Sequence, residues 1–501
     1  MSLLRLADTA APVASIRFPF FNLSAALKAD NEARIAVEDA EETLDDGELE
    51  FEDDGELGFK DEASDDRARE EATPFPHESS PVPSLSRKRK RYAVLTKRSR
   101  AARAAAAIEC ISNNDVKPHV IELAKKAQPV VLEDFDSSTF PISTGGWSGN
   151  PRKKLSPGLQ KVWKNLEALT SLSSLKLLSW DGESCTLLID AQDRIIAVLG
   201  GVPSGSRGAE WRAVEAEANA AVRRCHAAST FTKAQSQGRR GIFASRTSGF
   251  GYGNGRSQPQ NFRINGNANK QAMQELLQSR ALRRISGFQN NLFNTFSHKN
   301  YLQYRLTKDE LLRRQPELQT PFPKTSFAAV TFNLGPRSYS PPHMDADNSA
   351  SGWCADTAMG DFDPDKGGHL VLWDLGLVIR FPPGSTILFP SALITHSTIP
   401  IETHETRYAM IQYSSGGLFR WRENGFKSDK AFLSQASPAE LIDRQSARTS
   451  RWKLALQKFT RWTDICRSDW KGTIRTEAGL DDLSDLSDTE DTVSSSKHTC
   501  C

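Results

Sequence analysis

Nothing in this sequence approaches the run of about 18 apolar residues that a membrane-spanning helix requires. Cysteine is scarce, with seven in 501 residues (Cys110, Cys185, Cys225, Cys354, Cys466, Cys500 and Cys501) and no C-x-x-C pair. So dispersed and odd a count argues against a disulfide framework and for reduced thiols inside a cell. The adjacent Cys500-Cys501 does not fit a prenylation box. The first residues carry Arg5 among mixed apolar positions and lack the compact apolar core of a secretory signal. Hydrophobic residues make up 38% of the chain, which is low for a fully globular protein, so part of the length is expected to be unfolded.

The formal net charge of +2 hides a strong segregation of sign. Acids crowd residues 38–71, as in Glu52-Asp53-Asp54, where too little apolar surface is available to offset the entropy of ordering. Pro74, Pro76, Pro81 and Pro83 follow as a stiff linker. The sign then reverses at Arg87-Lys88-Arg89-Lys90-Arg91 and again at Lys97-Arg98-Ser99-Arg100, a pattern of nuclear import signals and nucleic-acid arms. Both readings place the protein near chromatin, in the nucleus. At the other end, Asp481-Asp482-Leu483-Ser484-Asp485 belongs to an acidic, Ser-rich tail open to phosphorylation. Four units are therefore expected: a disordered arm, acidic then basic, over 1–128; a folded domain over 129–430 with its β core at about 326–426; helices over 431–475 packing on that core; and a disordered acidic tail over 476–501.

Within the folded part, apolar spacing predicts a strand at 130–132 and a helix over 157–178. A hairpin follows at 185–190 and 194–199, then helices over 210–228, 270–286, 289–306 and 307–314. Residues 238–269 are rich in Gly, Arg and Asn, with Phe243, Phe250, Tyr252 and Phe262 interspersed. Gly249-Phe250-Gly251-Tyr252-Gly253 imitates a phosphate loop without its Lys-Ser/Thr; a mobile loop beside a cleft, suited to a polyanion or a stacked base, is expected instead. From 326 the period changes to 2, predicting strands at 326–334, 369–373, 377–381, 386–389 and 406–413. Short antiparallel strands after helices predict an α+β chain with a sandwich or jelly-roll core and flanking helices. Helices at 438–445 and 450–463 would pack Trp452, Leu456, Phe459 and Trp462 onto it.

The chemistry-bearing residues lie in that core. His343 and Asp345 are two apart after Pro341-Pro342, which favours an extended backbone, so both side chains share one face. His396 follows the strand at 386–389 and a loop entered at Pro390. Two imidazoles and one carboxylate on one side of an ion form the ligand set of non-haem iron(II) oxygenases. His369 and His404 compete for the third position, but neither follows such a strand and loop. Arg407 alternates with Ala409 and Ile411, an otherwise apolar face on which a guanidinium needs a partner. That partner is either a dicarboxylate held by the planar fork or a local acid such as Glu405.

The run Asn333-Leu334-Gly335-Pro336-Arg337, then Pro341-Pro342-His343-x-Asp345, Gly367-Gly368-His369-Leu370 and Phe381-Pro382-Pro383-Gly384-Ser385, resembles the Fe(II)/2-oxoglutarate-dependent dioxygenases, in particular a fungal TET/JBP-like branch. The resemblance spans roughly 180–426. It implies a double-stranded β-helix, Fe(II) on His343, Asp345 and His396, and 2-oxoglutarate on Arg407 with Asn333 as a further contact. It also implies O2 as oxidant and a C–H bond as target. A nucleic-acid base such as 5-methylcytosine is the expected substrate, with the basic arm Arg87, Lys88, Arg89, Lys90 and Arg91 as nucleic-acid partner and no membrane involved. A protein side-chain hydroxylase and an inert chromatin-binding module are the alternatives. The Cys-rich zinc region of animal TET proteins is lacking. Trp353 and Cys354 are possible cleft residues.

Overall fold

The computed structural model describes residues 14–16 and 125–466, except 151–155, 204–209, 238–240 and 254. The acidic and basic blocks of the arm and the acidic tail lie outside the described residues.

Strands β1 (Ala14–Ile16) and β2 (Gln128–Leu132) run parallel to each other. The helix expected over 157–178 is instead α1 (Pro157–Val162), α2 (Leu166–Thr170) and the strand β3 (Lys176–Leu178). Asn165 is the reason for the first break. It takes an extended conformation (φ −107°, ψ 112°), and its side chain accepts from Ala168 N at 2.9 Å, starting a new helix. Strands β4 (Thr186–Asp190) and β5 (Ile195–Gly201) form the expected hairpin. Its turn is held by the Asp190 carboxylate, which accepts from Gln192 N and Arg194 N.

Helices α3 (Trp211–Ala227) and α4 (Lys233–Ser236) precede the largest departure from expectation. The Gly-rich stretch is not loop throughout: part of it is β6 (Ala244–Gly251), which pairs antiparallel with the first core strand, and β7 (Gln260–Asn261). Phe250 is fully buried, and Gly249, at φ 102°, lies so close to Ala328 that a Cβ would stand 2.2 Å from its carbonyl oxygen. Glycine here serves close strand approach rather than mobility.

Helices α5 (Asn267–Gln278), α6 (Arg280–Phe296) and α7 (His298–Arg314) break at Ser279 and Ser297, not near residue 288 as the apolar spacing suggested. The core strands are β8 (Ala329–Gly335), β9 (Cys354–Asp361), β10 (Leu370–Leu372), β11 (Leu377–Ile379), β12 (Thr386–Phe389), β13 (His396–Thr398) and β14 (Thr406–Tyr413). The chain then enters α8 (Gly416–Glu423), α9 (Asp429–Gln435), α10 (Pro438–Leu456) and α11 (Trp462–Cys466). One long helix, α10, replaces most of the two expected over 438–463.

Two sheets result. The larger has ten strands in the order β1-β2-β4-β5-β12-β9-β14-β8-β6-β7, and the smaller has four in the order β13-β10-β11-β3. Alternation gives the large sheet two different faces. Phe332, Leu334, Met359, Tyr408 and Met410 share one cluster with Leu282, Ile285, Phe293 and Phe296 of α6. Ala358, Ile387, Phe389, Ile411 and Tyr413 share another with Leu370, Leu372, Leu377 and Ile379 of the small sheet. The second cluster lies between the sheets, and at ~1.5–3 kcal/mol per buried large side chain it is a main source of cohesion.

The helix-facing side also buries a polar seam. Gln289 Nε2 of α6 donates to Thr357 Oγ1 (2.8 Å) and to Met410 O (3.1 Å), and Gln412 Nε2 donates to Gln289 Oε1 (2.8 Å). Ser286 and Thr325 hydroxyls donate to Gln412 Oε1. Elsewhere, α10 grips the segment 138–147. Trp452 Nε1 donates to Ser138 O, its ring meets Phe140 edge-on, and Arg451 donates to Gly145 O with its guanidinium 4.3 Å from the Trp147 ring. That segment continues directly into the site described next.

Candidate metal centre

The extended backbone after Pro341-Pro342 brings its side chains to the open edge of the small sheet. His343 pairs antiparallel with His396, His343 N donating to His396 O at 3.0 Å and His396 N returning the bond at 2.9 Å. This bridge sets the two imidazoles opposite one another, ring centroids 4.3 Å apart. Asp345 follows on the same face as His343, its N–H donating to Ser391 O at 2.9 Å. The loop beyond it is braced by the 138–147 segment. Gly149 N donates to Ala346 O (2.8 Å) and Ala350 N to Trp147 O (3.0 Å). A Cβ at Gly149 would stand 1.9 Å from Ala392 O, so this close approach admits only glycine.

The donor atoms converge. One ligand atom from each of His343, Asp345 and His396 lies within 4.8 Å of the others. Each imidazole Nδ1 sits 2.8 Å from a carbonyl two residues back, Pro341 O for His343 and Ile394 O for His396. Those carbonyls accept only from a protonated Nδ1, which leaves each Nε2 with its lone pair toward the cluster. The Nε2 atoms stand 3.8 and 3.9 Å from the two Asp345 oxygens, too long for hydrogen bonds. One divalent ion with bonds of ~2.0–2.2 Å would satisfy all three at once. Phe389 covers one side, edge-on to His396 at 5.0 Å.

The competing histidines are elsewhere. His404 is exposed beside Glu402. His369 is buried near Trp180 and Arg380, its Nδ1 3.2 Å from Gly367 O, and burial lowers its pKa to about 4.

Arg407 is 2% exposed. Glu405 is not its partner, because that carboxylate accepts from Asp363 N (2.6 Å) and Glu402 N (2.9 Å). The guanidinium shares the cavity with Phe362 and Phe381, each 5.8 Å from Cζ, and spends Nη1 on Ser338 O at 3.2 Å. Nε and Nη2 are buried with no hydrogen-bond partner among the described residues. Such orphaned donors beside three converging ligands fit the far carboxylate of a chelating dicarboxylate. Alternation puts Asn333 on the same inner face of β8, opposite Ala409. Of the two suggested cleft residues, Trp353 turns to the helix side against Phe293, while Cys354 joins the core between the sheets.

Sequence reasoning passed over one residue in the cavity. Asp356 shares the inward parity of Cys354 and Ala358 on β9, a strand too polar and too rich in small residues to stand out by periodicity. Its Oδ1 is buried without a hydrogen bond, although part of the residue remains accessible. Burial pushes its carboxyl up to about 6, while Arg407 pulls it down and Asp345 pushes it further up.

A two-sheet β core carrying a His-x-Asp…His cluster beside a buried arginine defines a candidate mononuclear metal centre. No protein-family model matches the chain, and no curated protein sequence matches it. Among solved structures it is similar to NgTET1 in complex with 5mC DNA, at 12% identity over 52% of this chain and 92% of that one, with a TM-score of 0.34. It is also similar to an oxidoreductase of the 2OG-Fe(II) oxygenase family from Burkholderia pseudomallei, at 17% identity, covering 34% and 68% of the two chains (TM-score 0.21). A third is the viral collagen prolyl hydroxylase of Paramecium Bursaria Chlorella virus-1 in its 2OG complex, at 17% identity over 17% of this chain and 55% of that one (TM-score 0.14).

Proposed function

We propose that the protein is an Fe(II)/2-oxoglutarate-dependent dioxygenase that oxidises a C–H bond on a nucleic-acid base, 5-methylcytosine being the first candidate. The observation that carries this reading is the meeting, in one cavity, of His343, Asp345 and His396 with the unfilled guanidinium of Arg407. The folded domain spans 129–430, and its two sheets form a double-stranded β-helix. In it β8, β14, β9 and β12 face the strip of 343, β13, β10 and β11.

Fe(II) held there supplies oxygen activation, with 2-oxoglutarate leaving as succinate and CO2. The chain's own residues do the rest. His343 and His396 present Nε2 because their Nδ1–H groups are anchored on carbonyls, and Asp345 offsets part of the ion's charge. Arg407 fixes the far carboxylate through Nε and Nη2, and Phe362 and Phe381 exclude water around it. The basic block Arg87-Lys88-Arg89-Lys90-Arg91 supports a nucleic-acid substrate and a nuclear location. Among the described residues no helix is long and apolar enough to cross a membrane.

The test is iron-dependent succinate formation from 2-oxoglutarate, followed by mass spectrometry of 5-methylcytosine DNA and of peptide pools. Succinate should appear with wild-type protein and fall to background in His343→Ala. Turnover that survives His343→Ala refutes the metal assignment. Hydroxylated peptide without oxidised base replaces the nucleic-acid substrate with a protein side chain.

A further inference from the structure

The inner wall of the large sheet carries a second charged group that a plain dicarboxylate pocket has no evident use for. Asp356 on β9 and Arg407 on β14 project from neighbouring antiparallel strands into the same apolar space. They do not form an ion pair within 4 Å, and both leave buried polar atoms unfilled. Asp356 pairs in register with Ile411, whereas Arg407 pairs with Gly360, so four residues of β9 separate the two levels. At ~3.3 Å per residue that is roughly 13 Å of strand, of which the long arginine side chain spans about half. Asp356 also interacts electrostatically with Asp345. Its carboxyl is therefore influenced by the guanidinium and by the metal-binding cluster at once, along the path a chelating dicarboxylate would take.

The other titratable groups turned toward this space are Cys354 on the same strand, Tyr413 on β14 and the cluster His343, Asp345 and His396. The neighbouring strand β12 presents Ile387 and Phe389, and the small sheet presents Leu370, Leu372 and Ile379. Among the described residues, Arg407 is the one cation whose charge acts on Asp356. An incoming dicarboxylate would place its carboxylates near Asp356 in an apolar surround, where like charges cannot all stay ionised. A carboxylic acid kept neutral in such a site becomes a hydrogen-bond donor.

We propose that Asp356 is the specificity-determining residue of the cosubstrate pocket, admitting a dicarboxylate only when its own carboxyl carries a proton that it donates to the ligand. This rests on the 2-oxoglutarate reading above. Binding then takes up about one proton at a pH where the empty pocket is ionised. Burial pushes the carboxyl of the metal-free, empty pocket up to about 6, and an ion that offsets Asp345 draws it down from there. Affinity is pH-independent below the carboxyl's value in the loaded protein and declines as pH rises above it. The decline approaches tenfold per pH unit.

The experiment is calorimetry of 2-oxoglutarate binding to full-length protein preloaded with Mn(II), from pH 6 to pH 8, in two buffers of different ionisation enthalpy. Wild-type protein should lose about tenfold in affinity between pH 7 and pH 8 and take up close to one proton. Asp356→Asn, an isosteric neutral donor, should bind roughly a hundredfold more tightly than wild type at pH 8, with a flat pH profile and no proton uptake. Asp356→Ser should show the same flat profile and keeps the test valid should the Asn variant misfold. Weaker binding by both variants at every pH overturns the proposal in favour of a permanent counter-ion for Arg407. Profiles identical to wild type overturn it outright. Failure of wild-type protein to bind at pH 6 removes the cosubstrate reading itself, a result distinct from either.

Discussion

The two faces of the large sheet both bury polar groups, and they differ in what those groups meet. Toward the helices, Gln289, Gln412, Thr357, Ser286 and Thr325 satisfy one another in a closed set of hydrogen bonds. Toward the small sheet, the same strands leave Arg407 Nε and Nη2 and Asp356 Oδ1 with nothing to bond. An unfilled buried donor costs ~1–3 kcal/mol, more for a charged one. Arg246 Nε on the helix side is open too, but only the inner-side groups lie beside three converging ligands. On the proposed reading, the hydrogen-bonded seam holds the fold, whereas the open groups around Arg407 serve a ligand.

The sharpest way to break that contrast is Arg407→Leu. If the guanidinium exists for a ligand, the KM for 2-oxoglutarate should rise by ~10–100-fold, the loss of a charge-assisted hydrogen-bonded pair. The melting temperature should hold or increase, because a buried charge without a partner is gone. A fall of several degrees without a KM effect would make Arg407 structural.

Gln289→Leu is the mirror experiment. It takes one partner each from Thr357 Oγ1 and Met410 O and leaves Gln412 Nε2 without its acceptor, and should lower stability by ~1–3 kcal/mol, read in urea unfolding, with KM unchanged. A variant that instead lost cosubstrate affinity at normal stability would erase the distinction between the faces. The smallest effect is expected away from both. Ser437 caps α10, accepting from Glu440 N at 3.3 Å while Glu440 accepts from Ser437 N at 2.7 Å. Ser437→Ala should cost ~1 kcal/mol and leave catalysis untouched.

The convergence of the trio and the burial of Arg407 were readable from sequence because their constraints are local. Two residues on an extended strand share a face whatever the tertiary structure does, and an arginine among Ala409 and Ile411 declares its burial. Asp356 was not readable, since a carboxylate on a strand of small residues looks the same whether it faces solvent or a cavity. Only the register with Ile411 settles its direction. The stretch around Gly249-Phe250-Gly251 misled for a related reason: glycine marks loops by composition, but here tertiary pairing with β8 overrides that propensity. Likewise the boundary serines Ser279 and Ser297 leave no interruption in the apolar spacing of α6, so two breaks were placed wrongly.

The grip of α10 on residues 138–147 has a practical consequence for anyone cutting this chain down. Ending a fragment just after Tyr413 keeps every described strand of both sheets, so it looks like a sensible minimal domain. It would nonetheless release Trp147 from Arg451, and with it the brace that reaches Ala346 through Gly149, one residue past Asp345. If the proposed metal centre is right, such a fragment should fold around its β core yet hold Fe(II) poorly, which would make the far C-terminal helix a remote guy-rope for the ion rather than an ornament on the outside.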